Sequence, residues 1–255
     1  MCIRDRYGTI TSFDESNFQF GKLIVGSDDG IVSISTDSGK TWKSVSDNLP
    51  PDLWVSRVIF SKHEKNMIYL SLNGYRYNDF KPYIYVSNDN GDSWENISSN
   101  LPLSPVNVIR EDINRKEILY VGTDNGLFIS FNSGKKWHPF ESSLNRVAVH
   151  DLVIQNEKND LLVGTHGRSI YKTNLDLFND FMIEKNGEKP LIIFEINDLR
   201  HSNSWGKRSN YSDDVFKSSI KTIVYSDKSI IYDYTITDNF NNILNLSLIH
   251  ISEPT

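Results

Sequence analysis

The chain has 255 residues, 38% hydrophobic and 24% charged, which is enough apolar material for a packed core and argues against wholesale disorder. Lys and Arg number 27 against 33 Asp and Glu, a net charge of −6, so a nucleic-acid-binding surface is not expected. No run of about 18 uncharged apolar residues suggests a membrane span, and the single Cys excludes an internal disulfide.

The two ends stand apart from the rest. Residues 1–6 (Met-Cys-Ile-Arg-Asp-Arg) and 247–255 (Ser-Leu-Ile-His-Ile-Ser-Glu-Pro-Thr) both resemble translated sequencing-adapter read-through, an artefact of assembled gene fragments. Setting them aside removes the only Cys, Cys2. It leaves the net charge unchanged, because Arg4 and Arg6 outweigh Asp5 by one while Glu253 contributes one negative charge. The remainder is expected to be an internal slice of a longer protein.

Residues 7–174 carry a repeat. Leu23-Ile-Val-Gly-Ser27, a turn at Asp29-Gly30, Ile31-Val-Ser-Ile-Ser35 and a second turn ending at Trp42 form the first copy. The second copy runs from Ile68-Tyr-Leu-Ser-Leu72 through Tyr83-Ile-Tyr-Val-Ser87 to Trp94, with a long insert between its strands. The third runs from Leu119-Tyr-Val-Gly-Thr123 through Asn125-Gly126 to Trp137. A fourth begins at Leu162-Val-Gly-Thr165 and reaches Tyr171 without the Trp. Further strands precede the copies at Val58-Ile-Phe60, Val106-Asn-Val-Ile109 and 149–154, and Leu49-Pro-Pro51 and Leu101-Pro102 punctuate the links. Trp42, Trp94 and Trp137 lie 52 and 43 residues apart, and short strands at a period near forty predict β-propeller blades. Each blade alone leaves an apolar face bare, so neighbours must stack.

The recurring turn reads Ser-x-Asp-x-Gly-x-Thr/Ser-Trp. Asp37 and Asp89 are placed to accept backbone N–H bonds within their own turns, and Asn132 replaces Asp in the third copy. Gly39, Gly91 and Gly134 supply a backbone angle that other residues resist, and Trp42, Trp94 and Trp137 offer a large apolar body with one N–H. A carboxylate that recurs in each blade at one position reads as structural, since a catalytic group is needed once. The spacing is not that of a calcium loop, and no metal or cofactor is expected.

This turn resembles the Asp-box (BNR) hairpin of sialidases, sortilin-like propellers and xyloglucanase-type hydrolases. Three strings, 73–84, 101–112 and 149–171, the last with His166-Gly-Arg168-Ser, resemble the closing blades of exported bacterial sortilin-like or BNR-repeat proteins. The resemblance covers roughly residues 7–174 and departs at Asn132 and at Tyr75, where a His is commoner. It implies export to the periplasm or cell exterior and a following β-rich module.

Beyond the blades, residues 175–211 read as a linker with a short helical turn near 175–183 and a strand at Leu191–Ile196, and Arg200, Trp205 and Arg208 are candidates to seal the propeller against the next domain. Residues 212–246, with alternating runs at Ile220–Tyr225 and Ile230–Ile236, are expected to form a hairpin opening an immunoglobulin-like β-sandwich.

Two clusters are candidate binding sites. The insert at 73–82 carries Tyr75, Arg76, Tyr77 and Asp79, residue types that anchor ligands on loops of a rigid scaffold. Alternatively, Arg76 pairs with Asp79 and stiffens the loop. The last copy carries His166 and Arg168 beside a turn, suited either to a ligand anion or to backbone carbonyls that close the ring. No catalytic site is legible: Asp79, Glu111, Asp112 and Asp151 lie near strand ends without evident pairing, the Arg-Ile-Pro string of sialidases is absent, and no nucleophile elbow, phosphate loop or zinc-hydrolase spacing occurs. The expected fold is therefore all-β, three to four blades of a partial propeller followed by the start of a sandwich. The expected function is an exported recognition scaffold for a protein or glycan. A glycoside hydrolase with most of its catalytic residues in blades outside this sequence is the competing reading.

Overall fold

The computed structural model describes residues 8–140 and 147–176, together with the backbone of four later strands at 191–193, 224–226, 230–237 and 243–251. The chain divides into two compact units, Met1–Asn174 and Leu175–Thr255.

The first unit contains four antiparallel sheets, each following chain order. Blade 1 holds β1 (Ile10–Glu15), β2 (Leu23–Ser27), β3 (Val32–Ser35) and β4 (Lys43–Ser44). Blade 2 holds β5 (Trp54–Phe60), β6 (Ile68–Asn73), β7 (Tyr83–Ser87) and β8 (Glu95–Asn96). Blade 3 holds β9 (Val106–Glu111), β10 (Leu119–Thr123), β11 (Gly126–Ser130) and β12 (His138–Pro139). Blade 4 has, among the described residues, three strands, β13 (Val149–Gln155), β14 (Asp160–Thr165) and β15 (Ile170–Asn174).

The first strands gather side by side: β1 packs beside β5, β5 beside β9 and β9 beside β13. They form the inner wall of a propeller arc. Side chains of β1 and β9 bond to the next inner strand's backbone: Thr11 Oγ1 donates to the Val55 carbonyl at 2.6 Å, Asn107 Nδ2 to Val149 at 3.2 Å and Arg110 Nε to Leu152 at 2.7 Å. The Phe60 amide donates to Asp14 at 2.8 Å, and burial raises the pKa of that carboxyl above its ordinary value.

Two cores fill the gaps between blades 1 and 2 and between blades 2 and 3. Successive strand residues point to opposite faces of a sheet. Along β6, Ile68, Leu70 and Leu72 join the core shared with blade 1, while Tyr69 joins the core shared with blade 3. Both faces are covered, so Ile68–Leu72 are all buried; β2 instead alternates, with Ile24 buried and Leu23 and Val25 half-buried. Each fully buried Val, Ile or Leu contributes about 1.5–3 kcal/mol, so the interior blades carry most of the stabilisation.

In the second unit β16 (Leu191–Ile193) pairs with β17 (Val224–Ser226), and β18 (Ile230–Thr237) pairs with β19 (Ile243–Ile251). Among the described residues the 224–226 and 230–237 runs are not paired with each other, and each takes a different partner; residues 220–223 of the expected hairpin lie outside the described residues. The 243–251 run offers β18 eight paired positions, from Ile230 opposite Ile251 to Thr237 opposite Ile243. The sequence between β18 and β19 is Asp238-Asn-Phe-Asn-Asn242, rich in residues that tolerate turns. This ladder runs through residues 247–251, inside the terminal segment that sequence alone sets aside. The helical turn expected near 175–183 and the residues Arg200, Trp205 and Arg208 fall largely or wholly outside the described residues.

Candidate functional site

The Asp-box turns join the third and fourth strands of their blades. Asp37 Oδ1 accepts the Thr41 amide at 2.9 Å and Oδ2 accepts its hydroxyl at 2.7 Å, while Ser35 Oγ donates to Asp37 and accepts the Gly39 amide. Asp89 repeats this with Ser87, Gly91 and Ser93. The amide and hydroxyl of Thr41 hold Asp37 down at a pKa of about 2, and the hydroxyl and amide of Ser93 do the same for Asp89. Asn132 keeps the amide bond, from Lys136 at 2.8 Å, but Lys136 has no hydroxyl to supply the second. Both carboxylates are thus turned inward on their own loops, away from any common cleft.

The indoles link blade to blade. Trp94 Nε1 donates to the Val45 carbonyl of blade 1 at 2.7 Å, and Trp137 Nε1 donates to the Ile97 carbonyl of blade 2 at 2.8 Å. Trp137 is 2% exposed. The Trp42 indole instead folds back on the Gly39 carbonyl of its own turn at 3.1 Å and is 44% exposed.

The second-to-third-strand connections open on the opposite face, beside the links between blades. Backbone bonds mark this in three blades: the amides of Asp28, Asp124 and His166 donate to the carbonyls of Thr9, Pro105 and Ala148. Both sequence-derived clusters therefore lie on one face, two blades apart.

In the blade 2 insert, a single 3-10 turn spans Tyr75–Tyr77 and the Gly74 carbonyl accepts the amides of Tyr77 and Asp79. Arg76 does not pair with Asp79. Its guanidinium lies over the Trp54 ring, 3.6 Å from the centroid. Asp79 instead accepts the Tyr83 hydroxyl at 2.6 Å and the Lys81 amide at 3.1 Å. The Tyr83 bond holds Asp79 below the ordinary carboxylate range, while burial, with Asp79 second, pushes Tyr83 up to about 12. Tyr75 packs edge-on against Phe80, and Tyr75, Tyr77 and Phe80 remain exposed. The insert is tied to the scaffold through Asn73, which accepts the Tyr75 amide and donates to Asn107; Asn107 in turn donates to Asp124 and Val149. This relay runs from blade 2 to the start of β13.

On blade 4, His166 stands beside His150 of β13, ring centroids 5.1 Å apart. Arg168 is exposed and makes no hydrogen bond to a described carbonyl, so the ring-closing role is not seen among the described residues.

Nothing in the primary sequence signals a third feature. Arg57 of β5 donates to Asp151 of β13 at 2.8 Å, spanning two blades across β9, and Arg110 of β9 approaches the same oxygen at 3.5 Å. A bond that bridges over β9 lies on the channel side of the inner wall. One carboxylate thus serves two guanidiniums, and Arg57 Nε is buried without a hydrogen-bond partner. Burial, then the like charge of Arg57, lowers the pKa of Arg110.

The family model for Sortilin-Vps10, described as sortilin, neurotensin receptor 3, matches residues 82–245. The chain belongs to the sortilin/Vps10 family. A curated relative, the vacuolar protein sorting/targeting protein PEP1 of Saccharomyces cerevisiae, is 31% identical over 99 residues, covering 39% of this chain and 5% of the yeast protein. The chain thus spans about a twentieth of that relative's length. Among solved structures, the GH74 xyloglucanase of Xanthomonas campestris superposes with a TM-score of 0.53 at 15% identity, covering 66% of this chain and 29% of that one. An ancestral GH74 enzyme gives 0.54 at 14%, covering 95% and 33%. The extracellular domain of a putative hybrid two-component system from B. thetaiotaomicron gives 0.50 at 18%, covering 68% and 22%. At these identities the likeness is one of fold.

Within this sortilin/Vps10 segment the four acids near strand ends are each engaged by hydrogen bonds. Asp79 and Asp151 are accounted for above. Glu111 is buried and accepts the Ser61 hydroxyl, the Lys62 amide and the Tyr69 hydroxyl, and burial pushes its pKa up. Asp112 accepts the amides of Asn114 and Arg115 and the Tyr120 hydroxyl. These bonds brace the turns between first and second strands.

Proposed function

We propose that this sortilin/Vps10 segment is a recognition scaffold that binds a polypeptide partner outside the cytosol. The observation that carries the reading is the blade 2 insert. Arg76 is held flat on Trp54, and Tyr75, Tyr77 and Phe80 present apolar surface from a loop that Asn73 and Asp79 keep rigid. Aromatic and arginine side chains fixed in advance lose little freedom on binding, which is what a contact anchor requires. Arg168 on the same face, and the shared-carboxylate pair Arg57 and Arg110 on the inner wall, add positive charge suited to acidic groups of a ligand. Support for a polypeptide rather than a glycan comes from the family and from the protein-sorting name of the yeast relative. Support for an extracytosolic setting comes from the family and the extracellular-domain neighbour.

Parallel peptide-array and glycan-array binding of the 255-residue chain tests the reading. Peptide binding is expected, with Arg76→Ala and Tyr75→Ala weakening it by about 1–2 kcal/mol each while the melting temperature stays unchanged. Release of sugar from a polysaccharide, abolished in Asp79→Asn or Asp112→Asn variants, would replace recognition with glycoside hydrolysis.

A further inference from the structure

The four inner strands share one irregularity, and blade 4 uses it differently. The register shifts near the start of each first strand, leaving one bulged residue: Thr11 in β1, Ser56 in β5, Asn107 in β9 and His150 in β13. A bulge re-aims the side chain it carries. In blades 1 to 3 that side chain is bonded to the scaffold. Thr11 donates to the Gly26 and Val55 carbonyls, Ser56 shares a hydrogen bond with Ser71, and Asn107 links Asn73, Asp124 and Val149. His150 makes no such bond to a described residue. It is exposed and faces the exposed imidazole of His166, with ring centroids 5.1 Å apart and planes tilted by 32°.

The backbone that carries both rings is fixed. The His166 amide donates to the Ala148 carbonyl at 2.9 Å, and Val149 pairs with Thr165 immediately before the two histidines. Thr165 Oγ1 closes the hairpin on the Ser169 carbonyl at 2.6 Å. The two imidazoles therefore approach each other without needing the loop to reorganise.

We propose that His150 and His166 form a two-histidine site for a divalent transition-metal ion, zinc being the natural occupant. Imidazole is a favoured ligand for such ions. Two imidazoles bound to one tetrahedral zinc at about 2.0–2.1 Å hold their ring centroids about 5 Å apart, which is the separation found here. Two protein donors leave two positions open to water or to a donor from a bound molecule. The positive charge of Arg168, two residues on, favours an anionic donor such as a carboxylate there. The site sits on the face that carries the blade 2 insert, yet it stands whether or not that face binds a polypeptide.

Calorimetric titration of the 255-residue chain with zinc chloride alone tests this, paired with NMR of the imidazole resonances. One equivalent is expected to bind, shifting the resonances of His150 and His166 and leaving His63 and His138 unmoved. His150→Ala and His166→Ala should each weaken binding more than about tenfold without lowering the melting temperature, since both rings are exposed. Absence of binding, or a stoichiometric site that survives both substitutions, would overturn the proposal. Arg76→Ala should leave zinc affinity unchanged, which separates this site from the polypeptide reading.

Discussion

Interior and end blades are built from the same repeat but are buried differently. Ile68–Leu72 of β6 and Leu119–Thr123 of β10 are buried throughout, whereas β2 alternates and no residue of β15 is buried. Outside the blade 2 insert and Leu103, the exposed large apolar residues fall in the end blades, among them Phe13, Phe20 and Trp42 in blade 1 and Val153 and Ile170 in blade 4. The lesson is that the apolar run of one strand is satisfied only by the sheets on either side. The Asp-box turn shows this most sharply, because Trp94, Gly91, Trp137 and Gly134 work against the blade before them while Trp42 and Gly39 contact only their own.

The largest expected contrast comes from the indoles. Trp137→Ala should cost about 3–5 kcal/mol in urea unfolding, from lost burial, a cavity and an unpaired Ile97 carbonyl. Trp42→Ala should cost about 1 kcal/mol or less, because its indole is exposed and bonds only to its own turn. Equal losses would break the comparison.

The turn glycines should rank the same way at smaller size. A Cβ on Gly134 would meet Ile97 at 2.8 Å and one on Gly91 would meet Val45 at 2.7 Å, each with φ near the left-handed region. The nearest atom to a Cβ on Gly39 lies at 3.6 Å, on Leu23 of its own blade. Gly91→Ala and Gly134→Ala should therefore cost about 2–3 kcal/mol, and Gly39→Ala about 1 kcal/mol from backbone strain alone. Thermal melts of the three variants would sharpen or refute the ranking.

The smallest contrast is in acid. Asp37 and Asp89 have folded pKa values of about 2 against an ordinary value of 3.8. Depressed carboxylates contribute stability that is present above the ordinary value and lost as pH falls through the folded one. The first two turns should weaken between about pH 4 and pH 2, while the Asn132 turn has no carboxylate to titrate. Asp37→Asn with Asp89→Asn should flatten that part of the pH–stability curve. Glu111 acts in the opposite sense: its raised pKa means that its contribution is present at low pH and is lost as pH rises through the folded value. An unchanged acid limb in the double variant would show that the turn carboxylates are not its source.

Much of this architecture is legible in the sequence because the propeller repeats its signals. Strand lengths, turn dipeptides and the Trp spacing each recur, so every copy reinforces the others. The features that escape depend on single residues brought together by curvature. Arg57 and Asp151 are 94 positions apart, and only aligning β5 with β13 puts them at the same register position. For Arg76 the sequence offers its neighbour Asp79 as a partner, and Trp54 at the start of β5 takes that place. His150 gives no signal because a bulge, rather than a motif, turns it toward His166. The pairing of β18 with β19 is missed because alternation identifies a strand without naming its partner.

Hydrogen exchange of the indole N–H groups tests the central claim most directly, since each indole reports whether its turn clasps the previous blade. In the 255-residue chain, Trp137 should exchange slowest, Trp94 more readily and Trp42 at nearly the rate of free indole. Comparable protection of Trp42 and Trp137, or rapid exchange at all three, would contradict the account.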